Sequence, residues 1–182
     1  MDQTKPKKTQ RMNNFMTGLT KELTYTEQDY LRDTRAHIAN VQRHMQAFAT
    51  LLNARSLEHD ISKLEEPEKS ILHQNTEEYR RYRIGSQEYE AHLKKVKIAL
   101  DHHYEMNSHH PQHYKNGVAG MDLLDVVEMF CDWMVACREH GDGDIVHSIL
   151  ENKKRFGYSD ELAQILINTS VRFRKQSLMD QK

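Results

Sequence analysis

The sequence has few of the residues that make turns and covalent cross-links. Its 182 residues include only 7 glycines and 3 prolines, too few for the many turns of an all-β fold. The 2 cysteines, Cys131 and Cys137, lie six residues apart on one predicted helix, where they are too far apart to form a disulfide. We therefore expect reduced, packed thiols, as in proteins of a reducing compartment.

Long apolar runs are also lacking. No stretch approaches the roughly 20 apolar residues that a membrane-spanning helix needs, and no hydrophobic core of a signal peptide follows Met1. These absences predict a cytoplasmic protein without a membrane partner. The net charge of -1 gives no general attraction to nucleic acid.

The proportions of hydrophobic and charged residues indicate a helical protein. The hydrophobic fraction is 37% and the charged fraction 29%, a balance typical of helices that bury a narrow apolar stripe and expose the rest. We predict a single all-α domain with six or seven helices at residues 23–176. A basic arm at residues 1–22 precedes it, and a flexible tail at 177–182 follows it. The arm is expected to be disordered, with nucleic-acid or partner binding as the alternative.

The helix boundaries follow from capping residues and apolar spacing. The first helix begins at Thr24 or Thr26 and breaks between Asn53 and Leu57. A short helix then opens at His59-Asp60. Later helices are predicted to begin near Pro67, Ser86, Met121, Asp144 and Ser159. Residues 107–120 are predicted to form a loop.

Histidine is the one residue that is over-represented, with 12 copies that cluster. The doublet His59-Asp60 is followed by Ile61, Ser62 and Lys63. An imidazole nitrogen and a carboxylate oxygen from adjacent residues can bind one divalent metal or bridge two. Lys63, one turn later, would then face an anion held at that metal.

Further histidines lie on helical stripes or beside them. His37 falls on an apolar stripe of the first helix, where it is either a metal ligand or a buried histidine bonded to a backbone carbonyl. His103 continues an inward stripe, whereas His102 lies about 100° around the helix from it. His109 and His110 follow on the predicted loop, so a cluster at this end of the helix is expected.

Three carboxylates share one face of the most apolar helix, predicted from Met121 to His140. Asp125, Glu128 and Asp132 occupy positions i, i+3 and i+7, and buried carboxylates require cations. A metal-lined cleft is favoured over a salt-bridged face, and both remain open. Arg81, in a basic run before Gly85, either binds phosphate or caps a solvated helix end.

The order of His37, His59-Asp60 and Asp132 resembles the HD-domain superfamily of metal-dependent phosphohydrolases. The run His-Asp-Ile-Ser-Lys is similar to the HD-x-[GS]-K form of that signature. The longer series HDxSK, HHY, NxHHP and EMxxDW also resembles an uncharacterised family of small bacterial and phage proteins. The run HHYEMNSHHP differs from the HHE-x-x-DGxGYP run of the cyclic-dinucleotide branch, which argues against that substrate.

The resemblance implies an HD-like helical bundle that hydrolyses the phosphoester of a nucleotide or related small molecule. It implies that His37, His59, Asp60 and Asp132 bind metal and that His103 with His110 completes a second metal site. His102, His109 and Asp125 are further candidates for metal or substrate binding.

Catalytic roles are expected for Asp60, Lys63 and Glu128, and phosphate binding for Lys63 and Arg81. One or two divalent metals are expected, and manganese, iron, zinc, cobalt and nickel all remain open. The alternatives are an HD-type di-iron oxygenase and a non-catalytic helical binding protein. The oligomeric state is also open, and a phage-encoded protein would act in its host's cytoplasm.

Overall fold

The chain is all-α, as predicted. The computed structural model describes residues 25–79, 81–82, 86–139 and 144–179, in which there is no β-strand. The α-helices are α1 (Glu27–Glu58), α2 (Glu68–Tyr79), α3 (Gln87–Lys95), α4 (Lys97–Met106), α5 (Leu123–Glu139), α6 (Ile145–Phe156) and α7 (Asp160–Met179). Single turns of 3₁₀ helix lie at Ile61–Leu64, Pro111–His113 and Gly117–Gly120. The predicted arm and the end of the predicted tail lie outside the described residues.

Side-chain caps begin the helices at several of the predicted places. The hydroxyl of Ser86 accepts a hydrogen bond from the amide three residues ahead at 3.2 Å, and Ser159 does the same at 3.2 Å. Asp144 caps α6 through the amide two residues ahead at 2.9 Å. At α1 the cap is Thr26, whose hydroxyl accepts from the amide of Asp29 at 3.1 Å. These bonds satisfy amides that have no partner inside the helix.

Two predicted boundaries were wrong, and a third was correct. The first helix does not break between Asn53 and Leu57 but continues to Glu58, because the intervening residues include good helix formers. The helix predicted to run from Ser86 divides at Val96, whose φ of -98° and ψ of 13° leave the helical region. The short helix predicted to open near His59-Asp60 is present as the 3₁₀ helix Ile61–Leu64, with Asp60 at its N-cap position.

The chain groups into two compact units, the first ending at Ala47 and the second beginning at Phe48. The described part of the first unit belongs to α1, which has no buried residue. The predicted burial of its apolar stripe is therefore wrong, and Ile38 and Met45 are 49% and 67% exposed. Local ion pairs such as Asp29 with Arg32, at 2.6 Å, support the helix instead.

The hydrophobic core of the second unit lies between α5, α6 and α7. Its buried members are Met129, Phe130, Trp133, Cys137, Ile145, Ile149, Tyr158, Ala163 and Leu166. The Trp133 ring stacks on Phe156 with centroids 6.3 Å apart and planes 7° apart. The phenol of Tyr158 donates a hydrogen bond to the carbonyl of Ile149 at 2.5 Å. Gly157 ends α6 with a φ of 68°, a left-handed conformation that suits glycine.

A second group of elements packs beside that core. Helix α2 contacts α3, α4 and the turn at Ile61–Leu64, and α4 contacts the turn at Pro111–His113. Both cysteines are free thiols, with Cys137 buried and Cys131 exposed. Among the described residues, no helix combines the length and the apolar character that crossing a membrane requires.

Candidate metal centre

The turn after α1 gives Asp60 an unusual backbone. Its φ is 57° and its ψ is 15°, a left-handed conformation that costs a non-glycine residue energy and that often occurs at functional sites. The amide of Lys63 donates to the carbonyl of Asp60 at 2.9 Å, which closes the turn. His59 and Asp60 therefore lie between the end of α1 and the 3₁₀ helix that begins at Ile61.

Imidazole nitrogens from α4 and the following loop meet the carboxylate of Asp60. Nε2 of His103 lies 3.4 Å from Oδ1 of Asp60, and Nε2 of His109 lies 3.6 Å from the same oxygen. Nε2 of His110 is 2.8 Å from Nε2 of His103. His103 and His109 are buried, with 4% and 1% of their surface exposed. On the other side of the carboxylate, Nε2 of His59 lies 3.4 Å from Oδ2.

Two carboxylates fix which nitrogen of three histidines carries the proton. Nδ1 of His103 lies 2.8 Å from Oε2 of Glu68. Nδ1 of His59 and Nδ1 of His109 lie 2.8 Å and 3.0 Å from Oε1 of Glu128. An ionised carboxylate can only accept, so we assign the proton to Nδ1 in each neutral ring. The lone pairs of the Nε2 atoms therefore face Asp60.

This arrangement leaves buried acceptors facing one another. Within the described residues, Oδ1 of Asp60 and Nε2 of His109 are buried without a hydrogen-bond partner. Each such atom costs about 1–3 kcal/mol when it is left unsatisfied. A cation between them would remove this cost. Metal-bound histidines commonly donate their other nitrogen to a carboxylate, as His103 and His109 do here.

Two groups of described side chains have ligand atoms close enough to hold a metal ion through Asp60. The first contains Asp60, His103, His109 and His110, and the second contains His59, Asp60 and Asp132. In each, the ligand atoms lie within 4.8 Å of one another. A third group, His59, His109 and Glu128, is better explained by the two hydrogen bonds that the carboxylate accepts. Imidazoles with one or two carboxylates suit first-row transition metals.

Burial keeps two of these imidazoles neutral. Burial, followed by the neighbouring His109 and His103, lowers the pKa of His110 to about 2. Burial also lowers the pKa of His103, with the charge of Lys63 acting in the same direction. Neutral imidazole is the form that binds a metal.

The pKa values of the adjacent His59 and Asp60 shift in the directions that favour the charged form of each side chain. Burial would raise the pKa of Asp60, but the hydrogen bond and charge of Lys63 together with the neighbouring His103 and His59 outweigh it, and the net pKa is lowered. The hydrogen bond to Glu128 raises the pKa of His59. A carboxylate that stays ionised is the better metal ligand.

Both carboxylate oxygens of Glu128 accept hydrogen bonds. Besides the two imidazoles, its Oε2 accepts from Nε of Arg55 at 2.7 Å. Burial would raise the pKa of Glu128, but the bonds from His109, His59 and Arg55 hold it well below its usual range. This carboxylate therefore orients histidines rather than exchanging a proton near neutral pH.

Asp125 has a structural role. It is 2% exposed, and its Oδ1 accepts from Arg55 and Ser108, both at 2.7 Å. Its Oδ2 accepts from the phenol of Tyr114 at 2.6 Å and from the amide of Asp122 at 3.0 Å. Asp125 and Glu128 thus form salt bridges, as the second of the two predicted alternatives states. Asp132 belongs instead to a group that could hold a metal.

Other predicted site residues lie outside these groups. His37 is exposed and lies in the first unit, so none of the groups found among the described residues contains it. Nδ1 of His102 donates to Oε1 of Glu68 at 2.8 Å. Arg81 is exposed and lies 3.6 Å from Glu77. The metal and phosphate roles predicted for these residues receive no support from their surroundings.

Glu68 is the site residue that the sequence analysis missed. It has no exposed surface, and it accepts hydrogen bonds from both His102 and His103. It lies on the inward stripe of α2 with Leu72 and Asn75, at i, i+4 and i+7. A glutamate on such a stripe must have a buried partner, and this was the available signal.

Comparisons with known proteins complete the description of the site. No curated protein and no solved structure gives a significant match to this chain. One family's sequence model matches residues 26–172, a range that includes every residue of the candidate metal centre. The chain therefore belongs to DUF5662, a family of unknown function.

Proposed function

We propose that this chain is a metal-dependent phosphohydrolase that cleaves a phosphoester of a nucleotide or a related small molecule. The observation that supports the proposal most is the meeting of buried, unpartnered acceptors at Oδ1 of Asp60 and Nε2 of His109. Acceptors alone do not meet in a folded protein unless a cation or donor joins them.

The number of metals follows from the two oxygens of Asp60. Oδ1 faces His103 and His109, and Oδ2 faces His59. We propose that one metal binds with His103, His109 and His110, and that a second binds with His59 and Asp132. When bound, such a cation acts as a Lewis acid on a phosphoryl oxygen and lowers the pKa of a coordinated water molecule toward neutral. Manganese, iron, zinc, cobalt and nickel all suit these ligands.

Lys63 is the proposed phosphate-binding residue. Its ammonium lies 2.5 Å from Oδ2 of Asp60, and its side chain is 44% exposed. A long side chain that is partly exposed can turn from Asp60 toward a substrate without disturbing the packing. The ammonium would pair with the phosphoryl oxygens of the bound substrate. Arg81 is not retained in this role, because its ion pair is on the surface.

The remaining polar residues hold the ligands in place. Glu68 fixes the tautomer of His103, and Glu128 fixes those of His59 and His109. Arg55 fixes Glu128 in turn through a 2.7 Å ion pair. Imidazoles oriented before substrate arrives need no reorganisation during the reaction.

One observation also favours the HD-type di-iron oxygenase. The two groups that share Asp60 contain four histidines, His59, His103, His109 and His110, and imidazole suits iron. Lys63 favours the hydrolase, since oxygen activation has no need of an ammonium beside the metal. The two functions predict different cofactors and different products.

The test begins with protein purified without a histidine tag and loaded with manganese, cobalt, zinc or iron. Metal-dependent release of phosphate from a panel of nucleotides and sugar phosphates supports the hydrolase, and Lys63→Met should then raise KM more than it lowers kcat. Bound iron with an absorption change on exposure to oxygen, and no phosphate release, would support the oxygenase. Full activity in Asp60→Ala would exclude the proposed site.

A further inference from the structure

We propose that Asn107 is a positioning residue of the metal centre. Its side chain ties the turn Ile61–Leu64 to the end of α4, and so sets the spacing between Asp60 and His103. This role rests on the proposed function, because Asp60 and His103 are ligands there. Asn107 itself occupies the C-cap of α4, the position at which the chain leaves the helix.

The amide nitrogen of Asn107 uses both of its protons. Nδ2 donates to Oγ of Ser62 at 2.8 Å and to the backbone carbonyl of His103 at 2.8 Å. A carbonyl oxygen can only accept, so this bond also fixes which end of the amide faces the turn. Nδ2 lies 3.1 Å from Nδ1 of His103 as well, but that nitrogen carries the proton that Glu68 accepts. The side chain of Asn107 therefore joins the turn directly to α4.

Apolar burial does not hold this turn in place. The turn Ile61–Leu64 has no buried residue, and its two large apolar side chains, Ile61 and Leu64, are 44% and 71% exposed. The turn lies against α2 and α4, but contact alone does not fix its position along a helix. The bond from Asn107, which is 8% exposed, to Ser62 is directional and shielded from water, so it can fix that position.

The spacing that Asn107 sets is unfavourable for the side chains that it brings together. Oδ1 of Asp60 and Nε2 of His103 lie 3.4 Å apart, and both present lone pairs to the space between them. Asp60 also has a left-handed backbone, with a φ of 57°, which costs a non-glycine residue energy. A small outward shift of the turn would relieve both costs, and the bond from Asn107 to Ser62 opposes that shift. Ligands held in this way can bind a metal without first moving the turn.

A second buried asparagine gives a matched control. Asn75 is also 8% exposed, and its Nδ2 donates to the carbonyl of Ile71, four residues earlier in α2, at 2.7 Å. Asn107 bonds in the same way to the carbonyl of His103, four residues earlier in α4. Asn75→Ala therefore removes a buried amide and the same kind of bond without releasing the turn.

The experiment measures two properties of the full chain and of four variants, Asn107→Ala, Ser62→Ala, the double variant and Asn75→Ala. The first property is the affinity for manganese and zinc, from competition with a chelating dye. The second is the hydrogen-exchange rate of the Lys63 amide in the metal-free protein, because the bond of this amide to the carbonyl of Asp60 closes the turn. Ser62→Ala removes the tie at a partly exposed position, and it leaves the bond from Asn107 to the carbonyl of His103 in place.

We expect metal affinity to fall about tenfold in Asn107→Ala and by a similar factor in Ser62→Ala. The double variant should lose no more than about twofold beyond Asn107→Ala, since both changes break one link. The Lys63 amide should exchange about fivefold faster in each single variant, the effect of losing one hydrogen bond. Asn75→Ala should match the wild type in both properties.

Unchanged metal affinity in Asn107→Ala, an equal fall in Asn75→Ala, or losses that multiply in the double variant would overturn the proposal. A wild type that binds no metal would contradict the proposed function, and the exchange rate would then decide the tie by itself. Faster exchange of the Lys63 amide in Asn107→Ala, but not in Asn75→Ala, would support the tie, and an unchanged rate would overturn it.

Discussion

Oε2 of Glu68, a side chain with no exposed surface, lies 2.8 Å from Nδ1 of His103. The same carboxylate accepts from His102 through its other oxygen, also at 2.8 Å. Glu68 therefore binds two adjacent imidazoles at once, and only one of them faces Asp60. The buried carboxylate determines which nitrogen of His103 is available to a metal, although it does not touch that metal itself.

Replacing Glu68 with Gln should weaken metal binding. An amide has one oxygen instead of two, so it cannot accept from both imidazoles, and His103 loses its fixed tautomer. We expect the affinity for manganese or zinc to fall about 10- to 100-fold, measured by competition with a chelating dye. Asn75→Ala is the control, since it truncates a buried polar residue of the same helix and should change stability without changing metal affinity. Equal metal affinity in Glu68→Gln and the wild type would contradict this role.

Arg55 should contribute to stability through its ion pairs with the buried Asp125 and the partly buried Glu128. Its side chain is 25% exposed and lies 2.7 Å from both Asp125 and Glu128. Arg55→Met would leave both charges without their cation, so we expect the free energy of unfolding to fall by about 2–4 kcal/mol. Urea denaturation measures the change.

The control for that variant is Arg81→Met. Among the described residues, Arg81 pairs with the exposed Glu77 at 3.6 Å, and surface pairs of this kind contribute at most about 1 kcal/mol. A loss in Arg55→Met no greater than in Arg81→Met would mean that Asp125 and Glu128 do not depend on Arg55 for their charge balance.

Tyr158 should make the fold sensitive to alkaline pH. Burial raises the pKa of its phenol to about 12. In the unfolded chain a tyrosine titrates near pH 10. As pH rises from about 10 to about 12, the unfolded state therefore loses a proton that the folded state retains. The stabilisation by neutral Tyr158 is complete below pH 10 and is lost as pH rises through the folded pKa.

Tyr158→Phe isolates this contribution. At pH 8 the variant should lose about 1 kcal/mol, because the hydrogen bond to the carbonyl of Ile149 is removed. Between pH 10 and pH 12 the wild type should lose up to about 3 kcal/mol more than the variant. Unfolding in urea at each pH gives both values. Parallel stability curves for the two proteins across that range would show that the phenol is not held neutral by the fold.

Periodicity predicted much of this site. The apolar stripe that ends in His103 correctly put that ring inward and His102 to one side, because a helix repeats every 3.6 residues. The spacing correctly predicted that Asp125 and Glu128 need a cationic partner, which is Arg55 for both, whereas the metal partner of Asp132 stays a prediction. The caps at Ser86 and Ser159 were also correct, since the signal for a cap is local.

Contacts between distant residues were beyond prediction from the sequence. Nothing local indicates that Arg55 reaches Asp125 and Glu128, so the sequence analysis favoured a metal-lined cleft where Arg55 forms salt bridges with both carboxylates. The sequence placed His109 and His110 on the loop after α4, but it did not indicate where their side chains point. His109, ranked below His110, is the more deeply buried and is hydrogen-bonded to Glu128. His37 followed a helical stripe, but a stripe alone does not show that its helix packs against anything.

The most direct test is the metal content of the chain, purified without a histidine tag and measured by elemental analysis. We predict one or two equivalents of a transition metal per chain in the wild type. We predict none in Asp60→Ala, and in His59→Ala the loss of the metal that binds with Asp132, with the far-UV helical signal largely retained in both. Asp101→Ala, which removes an exposed carboxylate paired with Lys97, should keep the full content. A wild type that retains no metal under any loading condition, or an Asp60→Ala variant that retains as much as the wild type, would contradict the account.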